Sequence, residues 1–300
     1  MRDALLRDLS QLPYAVITTV DARLASPVLV SGVIELSMHD DVWQVWQAAI
    51  KNADAVWLIA PETDGLLQKL TALAVKCDKK IIGCGLKSIE IASSKLATYQ
   101  ALQQAGIKTI PTFTLENWQK DLGENRGKWL TKPDDGAGCE ETFCFVNGGD
   151  LIGLGGLWNK ACRHIIQPFI TGKSASICCV MHGGKAQVLS CNAQIIEIKN
   201  NQLSYHGSIV NGMREHWAAF EMVANKIAQA MPDLAAYVGI DVIVENGEVS
   251  VVEINPRLTT SYVGLAEATG VNPAELILNT LMQENYPWPK LEQNVVTINV

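Results

Sequence analysis

The sequence has no long hydrophobic run and no recognisable leader. None of its apolar stretches approaches the roughly 20 residues that a helix needs to cross a bilayer. The N-terminal segment contains Asp3 and Asp8, and it lacks a basic start followed by an unbroken apolar stretch. We therefore expect a cytoplasmic protein that has no membrane partner.

Two further absences concern metals and nucleic acids. The eight cysteines form no Cys-x-x-Cys pair, and Cys178 and Cys179 lie in an apolar, strand-like run. In a reducing compartment, such cysteines are small core residues rather than disulfide partners or zinc ligands. The formal net charge is -7 and no basic block occurs, which argues against nucleic acid as the main partner.

The N-terminal part has the pattern of an α/β domain but lacks a dinucleotide-binding signature. Short apolar runs at residues 14–20, 55–61 and 80–85 alternate with segments of helical periodicity. This alternation predicts a parallel sheet covered by helices. No Gly-x-Gly-x-x-Gly follows the first strand, which argues against a dehydrogenase. We expect residues 1–91 to form this α/β domain.

The remainder, residues 92–300, has the order helix, sheet, helix, sheet that is typical of an α+β domain. Ser94 is placed to cap the first helix, and Asn272 is placed to cap the last one. Between them, strand-like runs are separated by glycine-rich turns. We expect a small lobe at about 92–169 and a large lobe at about 170–300.

A predicted hairpin over residues 239–255 carries an unusual group of polar side chains. Its second strand ends on Glu253, Asn255 and Arg257, which are spaced by one residue and therefore point the same way. Together with Asp241 on the first strand, they would offer two carboxylates and an amide as ligands for Mg2+. The alternative is structural: Asp241 ends a strand, and Glu253 forms a surface ion pair with Arg257.

The length of the hairpin turn decides whether the metal site can exist. The dipeptide Asn246-Gly247 usually forms a two-residue turn, and in that register Asp241 and Glu253 would face opposite sides of the hairpin. A three-residue loop over residues 245–247, with Gly247 in the left-handed conformation, would put both carboxylates on one side. The metal hypothesis therefore predicts the three-residue loop.

A lysine and a glycine-rich loop form a second candidate site. Lys132 stands at the end of a predicted strand, where we expect it to face solvent, and Gly136 and Gly138 follow it. Glycines permit a nest of backbone N–H groups around phosphate oxygens, while the lysine supplies a charge. Lys95 lies in the first turn of the helix that Ser94 caps. The alternatives are an ordinary hairpin turn and a solvated lysine.

The segment Gln167-Pro168-Phe169-Ile170 closes another apolar strand and leads into Gly172. Pro168 has no N–H group, so the chain cannot pair through a full ladder at this point. Unpaired backbone groups there would suit the edge of a purine, with Phe169 and Ile170 as apolar walls. The alternative is a plain exit from a strand into a turn.

In this order, and across nearly the whole chain, these segments resemble the ATP-grasp superfamily. The matching pattern begins with a helix lysine, Lys95, and a strand lysine, Lys132, before a glycine-rich loop. It continues with a hinge, residues 167–170, and ends with Asp241 and the Glu-x-Asn of Glu253 and Asn255. The resemblance implies an ATP-grasp fold with an N-terminal pre-ATP-grasp domain. It also implies that ATP binds between two lobes.

The resemblance assigns roles to individual residues. It implies a set that binds the phosphates and adenine of ATP: Lys95, Lys132, Gly136, Gly138, Gln167, Phe169 and Ile170. It implies three ligands for Mg2+, or for Mn2+ in its place: Asp241, Glu253 and Asn255. It implies two catalytic residues, Lys132 and Arg257, of which the second would stabilise an acyl phosphate. Many members have an acidic residue where this hinge has Gln167, and another just past the glycine, which contacts the ribose. Here Lys173, Ser174 and Ser176 stand in that region, so the contact to the ribose is not assigned.

A narrower resemblance concerns the segments EINPRLTTSYVGL, KPDDGAGCEET and TTVDARL. They are similar to the group that contains tyramine-glutamate ligase of methanofuran biosynthesis. This resemblance implies a ligase that joins a small carboxylate, glutamate, to a small amine, tyramine or a similar one, through an acyl phosphate. A homodimer is compatible with the sequence.

Two rival functions stay open at this point. One is a ligase of the same fold that acts on another amino acid or amine. The other is an ATP-binding module that has lost catalysis. The presence of Asp241, Glu253, Asn255 and Arg257 argues against such a loss.

Overall fold

In the computed structural model, which describes residues 1–121, 127–146, 163–283 and 286–300, the N-terminal part alternates helices and strands. Its elements are α1 (Arg2–Leu9), β1 (Ile17–Asp21), β2 (Gly32–Leu36), α2 (Val42–Asn52), β3 (Ala55–Val56), α3 (Leu66–Lys76), β4 (Lys80–Ile81) and α4 (Leu86–Ala92). Strand β1 pairs with β2, and β3 pairs with β4, both in parallel. The predicted alternation is confirmed, but the strands form two separate pairs rather than one sheet.

The second part of the chain contains a large antiparallel sheet with helices on its faces. Its elements are α5 (Lys95–Gln104), β5 (Phe113–Thr114), α6 (Leu115–Asp121), β6 (Trp129–Pro133), β7 (Phe143–Phe145), β8 (His164–Pro168), β9 (Lys173–His182), β10 (Lys185–Lys199), β11 (Gln202–Val210), α7 (Trp217–Ala230), β12 (Ala236–Glu245), β13 (Glu248–Asn255), α8 (Leu265–Thr269), α9 (Pro273–Met282) and β14 (Val296–Asn299). Both predicted helix caps are confirmed: the side chain of Ser94 accepts from the N–H of Ala97, and that of Asn272 accepts from the N–H of Glu275.

The strand order brings together segments that lie far apart in the sequence. Among the described residues, the sheet has the order β13-β12-β9-β10-β11-β7-β6-β8-β5, with β14 beside β11. The chain passes from β8 to β9 through residues 169–172, although the two strands are not neighbours in the sheet. Gly172 permits that crossing, because a Cβ atom there would lie 2.6 Å from Ile243 Cγ2 and 2.7 Å from the carbonyl oxygen of Val244.

One hydrophobic cluster joins the N-terminal part to the sheet. Leu67 and Leu70 of α3 and Ile89 of α4 are buried in the same cluster as Phe220 of α7 and Ile240 of β12. The two parts of the chain therefore share a core, and the proposed boundary at residue 91 stays a prediction. No helix within the described ranges is long and apolar enough to cross a bilayer.

The β12–β13 hairpin contradicts the predicted three-residue loop. Glu245 pairs with Glu248 across Asn246 and Gly247, which have φ values of 51° and 82°. Positive φ at both central positions is typical of the two-residue type I′ turn, whose twist matches that of the flanking strands. The Asn-Gly signal was therefore the correct guide to the turn.

A β-bulge further along the hairpin places Asp241 and Glu253 on the same side, as the three-residue loop was expected to do. Val242 pairs with Val251, whereas Asp241 pairs with Glu253, so Val252 is the extra residue of a β-bulge. Because residues directly opposite each other share a face of the sheet, the two carboxylates lie on the same side. The predicted juxtaposition is present, but its cause is the bulge and not the loop.

Candidate active site

A cleft of about 540 Å3 lies between the hinge, the glycine-rich loop and the β12–β13 hairpin. It is lined by every residue for which the sequence suggests a role: Lys95, Lys132, Gly136, Gly138, Gln167, Phe169, Ile170, Asp241, Glu253, Asn255 and Arg257. These residues come from segments up to 162 positions apart, which the strand order brings together. Their individual roles stay predictions.

Carboxylate and amide groups meet at one corner of the cleft. Asp241 and Glu253 lie opposite each other, and the amide nitrogen of Asn255 donates to Asp241 Oδ2 at 3.3 Å. On the other side, Gln194 Nε2 donates to Asp241 Oδ1 at 3.0 Å. No pattern in the sequence indicates Gln194, because only the lateral order of strands β12, β9 and β10 places it beside Asp241.

The donor set at this corner fits a hard divalent cation. Asp241, Glu253 and Asn255 offer oxygen atoms only, as Mg2+ prefers. Among the described residues, no three His, Cys, Asp or Glu side chains are grouped so that they could hold a metal ion. The protein side chains would therefore supply part of a coordination shell, and water or phosphate oxygens would supply the rest.

The two carboxylates differ in the charge that each holds. Burial, and then the negative charge of Glu253, raises the pKa of Asp241. Burial acts in the same upward direction on Glu253, but Lys95 and Lys132 outweigh it and lower the pKa of that carboxyl. Glu253 is thus the more acidic carboxyl of the pair, and Asp241 is the one that takes up a proton more readily in the absence of a cation.

Both lysines of the cleft are buried, which corrects the expectation that Lys132 faces solvent. Lys95 is 7% exposed and Lys132 is 8% exposed. Their ammonium groups lie 3.5 Å and 3.7 Å from Glu253 Oε2. Burial lowers the pKa of Lys132, and the charge of Glu253 opposes this effect. The alternative of a solvated lysine is therefore wrong for Lys95.

The glycine-rich loop is tied to the start of α5. The carboxylate of Asp134 accepts from Ser94 Oγ at 2.7 Å and from the N–H of Leu96 at 2.9 Å. Lys95 Nζ donates to the carbonyl oxygen of Gly136 at 2.6 Å. Gly138 has a φ of 66°, which a residue with a side chain rarely adopts. Helix start, lysine and loop therefore form one connected unit beside Glu253.

The hinge differs in one respect from the predicted purine contact. The N–H of Phe169 donates to the carbonyl oxygen of Lys128 at 2.9 Å, so this group is already paired within the protein. Gln167 is buried and donates its amide to Thr112 Oγ1 at 2.9 Å. Ile170 also lines the cleft, and its backbone stays the candidate for the edge of a ring.

Arg257 pairs with a residue that the sequence did not indicate. Its Nε donates to Glu62 Oε2 at 2.7 Å, and its Nη1 donates to the carbonyl oxygen of Leu258 at 3.1 Å. The expected structural alternative, an ion pair between Arg257 and Glu253, is wrong. Glu62 precedes α3 in the N-terminal part, and no spacing in the sequence connects it with Arg257.

The chain is similar to two family models and to curated relatives. Residues 92–261 match the model of an ATP-grasp domain, and residues 14–89 match that of a pre ATP-grasp 3 domain. A tyramine--L-glutamate ligase from Methanocaldococcus jannaschii is 28% identical over 254 residues, covering 84% of this chain and 71% of the relative. The enzyme of the same name from Methanocaldococcus fervens is 29% identical over 269 residues, covering 89% of this chain and 80% of the relative.

Solved structures share the fold at low sequence identity. The biotin carboxylase domain of 2-oxoglutarate carboxylase from Hydrogenobacter thermophilus, solved with MgADP, ADP and bicarbonate, has a TM-score of 0.78 at 15% identity, covering 97% of this chain and 69% of that chain. The L-amino acid ligase from Bacillus licheniformis has a TM-score of 0.74 at 16% identity, covering 96% of this chain and 75% of that chain.

Proposed function

Since the chain belongs to the ATP-grasp family, we propose that it is an ADP-forming ligase that joins a carboxylate to an amine. The observation that carries this proposal is the meeting of Lys95, Lys132, Asp241, Glu253 and Arg257 in one cleft. Cations and carboxylates that lie this close suit a ligand that is both phosphorylated and metal-bound. No Ser-His-Asp arrangement is needed for phosphoryl transfer, which depends on positioning and charge neutralisation.

For the substrates, we propose glutamate as the carboxylate and tyramine, or a close phenolic amine, as the nucleophile. Two relatives, at 28% and 29% identity over most of the chain, bear the name tyramine--L-glutamate ligase. The motif-level similarity of the segments around Lys132 and Arg257 agrees with those names. By this similarity, the product would serve methanofuran biosynthesis.

The reaction would proceed in two steps. An oxygen of the substrate carboxylate attacks the γ-phosphorus of ATP, the bond from that phosphorus to the β–γ bridging oxygen breaks, and ADP leaves. The amine nitrogen then attacks the acyl carbon, phosphate departs with the bonding electron pair, and the proton lost by the amine goes to solvent. The net products are an amide, ADP and phosphate.

Each charged residue has a place in this scheme. Lys95 and Lys132 would neutralise phosphate oxygens, exchanging their contact with Glu253 for one with the nucleotide. Arg257 would donate to the oxygens of the acyl phosphate and of the tetrahedral intermediate. Mg2+ held by Asp241, Glu253 and Asn255 would neutralise charge on the phosphates.

The test is a screen of amines with glutamate, ATP and Mg2+, measured as ADP release and followed by mass analysis of the product. We expect tyramine to give ADP and an amide whose mass is the sum of both substrates less one water. Omission of the amine should abolish sustained ADP release. Equal ADP release with and without every amine would refute the ligase proposal, and a different preferred amine would correct the substrate. Nucleotide binding without any turnover would indicate the non-catalytic alternative.

A further inference from the structure

Glu62 is a residue of the N-terminal part whose carboxylate reaches the candidate active site. Its Oε2 accepts from Arg257 Nε at 2.7 Å, and the side chains of Glu62 and Arg257 are only 7% and 12% exposed. Exposed ion pairs contribute little, but a carboxylate removed from water is costly unless it is paired. Its second oxygen, Oε1, is buried and has no hydrogen-bond partner among the described residues. Arg257 is thus the partner that offsets this cost.

The contact fixes one side of the guanidinium group. An arginine has five N–H donors, of which Nε carries one and the two terminal nitrogens carry four. Glu62 occupies the Nε side, while the terminal nitrogens contact the carbonyl oxygen of Leu258 and, at 3.5 Å, Asn255 Oδ1. Within the described part of the chain, the two remaining N–H groups have no acceptor. Because Arg257 lines the cleft, we expect these donors to be available to an anion bound there.

The residues that follow Glu62 contact Asp135, next to the glycine-rich loop that lines the cleft. The N–H of Asp64 donates to Asp135 Oδ2 at 3.1 Å, and Thr63 Oγ1 donates to the carbonyl oxygen of Asp135 at 3.4 Å. Asp135 directly precedes the glycine-rich loop. Three consecutive residues of the N-terminal part therefore contact Arg257 on one side and Asp135 on the other, which holds Glu62 in place relative to the glycine-rich loop.

Building on the proposed function, we propose that Glu62 is a positioning residue that orients Arg257 toward the acyl phosphate. It touches neither substrate nor nucleotide and acts only through the guanidinium group. Without Glu62, the long arginine side chain would sample several rotamers and lose its preorganised donors. We expect Glu62→Ala to lower kcat about 10- to 100-fold, as is typical for partners that orient a site residue, with the KM for ATP within about two-fold of wild type.

A double-mutant cycle tests the inference, using the full chain and the best acid and amine from the screen. The variants are Glu62→Ala, Arg257→Ala and both together, with Glu62→Gln as the conservative variant and the exposed Asp54→Asn as a control for charge loss. If Glu62 acts through Arg257, Glu62→Ala should cause no further loss of kcat in the Arg257→Ala background. Glu62→Gln should retain more activity than Glu62→Ala, because an amide oxygen can still accept from Nε. Equal losses in both backgrounds would overturn the inference.

A second measurement does not depend on ligation. In protein labelled with 15N-arginine, the Nε–H signal of Arg257 is identified by its absence in Arg257→Lys. We expect this signal to be shifted and slow to exchange in the wild type, and to lose both properties in Glu62→Ala. An unchanged signal would overturn the inference even if activity falls. A wild type that makes no amide would refute the proposed function, and the signal would still decide whether Glu62 orients Arg257.

Discussion

At the scale of single residues, the site is organised around one ionised carboxylate. Glu253 lies within 3.7 Å of the ammonium groups of both Lys95 and Lys132, and all three side chains are largely removed from water. One carboxylate therefore offsets part of the charge of two ammonium groups before any ligand binds. In the proposed function, a nucleotide with its cation would exchange these partners: phosphate oxygens would contact the two lysines, and the cation would contact Glu253.

Lys132→Met should weaken nucleotide binding without weakening the fold. The lysine is buried, and its lowered pKa reflects the cost of holding a charge there, so an apolar side chain of similar length can fill the space. We expect the affinity for ADP to fall about 10- to 100-fold, the usual loss for a charge-assisted contact. Calorimetric titration checks the affinity, and thermal unfolding checks the fold. The exposed Lys185→Met is the matched control. An unchanged affinity in Lys132→Met would count against a role of Lys132 in binding phosphate.

Asp241→Asn should remove the response to metal while leaving the unliganded protein intact. Because the raised pKa of Asp241 favours its protonated form in the absence of a cation, an amide resembles that form, and Gln194 can still donate to the remaining oxygen. We expect the wild type to melt at a higher temperature with Mg2+ and ADP than with ADP and a chelator. That difference should vanish in Asp241→Asn and persist in the exposed Glu245→Gln. A full Mg2+ effect in Asp241→Asn would argue against the metal site.

At the scale of elements, the hairpin shows where sequence patterns stop being sufficient. Asn246 and Gly247 predicted the turn correctly through their tolerance of positive φ, a local property. The bulge at Val252 has no such local signature, because the sequence does not show whether a valine in a strand is paired or bulged. One extra residue moves all the side chains beyond it in that strand to the other face of the sheet. The candidate metal ligands could be named from their spacing in the sequence, but the bulge that brings them together could not.

Gly247→Val should destabilise the protein without disturbing the cleft. A β-branched side chain at a φ of 82° is strained, and a left-handed residue costs about 1–2 kcal/mol. The Asp241–Glu253 pairing lies beyond the bulge and does not depend on the turn residue. We therefore expect a lower melting temperature with an unchanged rise on adding Mg2+ and ADP. Ser250→Val, a β-branched substitution in the same strand at ordinary backbone angles, should leave the melting temperature nearly unchanged. Loss of the nucleotide effect in Gly247→Val would show that the turn does control the site.

At the scale of the whole molecule, the two parts of the chain are joined by a shared core and by the contacts of residues 62–64. Periodicity in the sequence predicts which face of α3 is apolar, but it does not name the partner of that face. Leu67 and Leu70 could have covered a separate small core, as a two-domain interpretation suggests, and the structure instead packs them with Phe220 and Ile240. Glu62 was missed for the same reason, since its partner lies 195 residues away.

Leu70→Ala should lower the stability of the entire chain rather than of its N-terminal part alone. Leu70 is 7% exposed within the shared cluster. We expect the free energy of unfolding to fall by about 2–4 kcal/mol. Calorimetry should show a single unfolding transition at a lower temperature. The exposed Val75→Ala on the same helix should leave the transition nearly in place. Two separate transitions in the wild type would contradict a shared core.

The burial of Lys95 and Lys132 has a consequence for the ionic strength at which the protein works. Mobile ions screen charges that solvent reaches, over a Debye length of about 8 Å at 0.15 M salt, and they screen buried pairs much less. A cleft that attracted ATP through exposed lysines would lose affinity steeply as salt rises. Here the cations lie below the surface and already face a carboxylate. The affinity for nucleotide should therefore change by less than about three-fold between dilute buffer and 0.5 M sodium chloride, so that binding follows the supply of nucleotide and Mg2+ rather than the salt content of the medium.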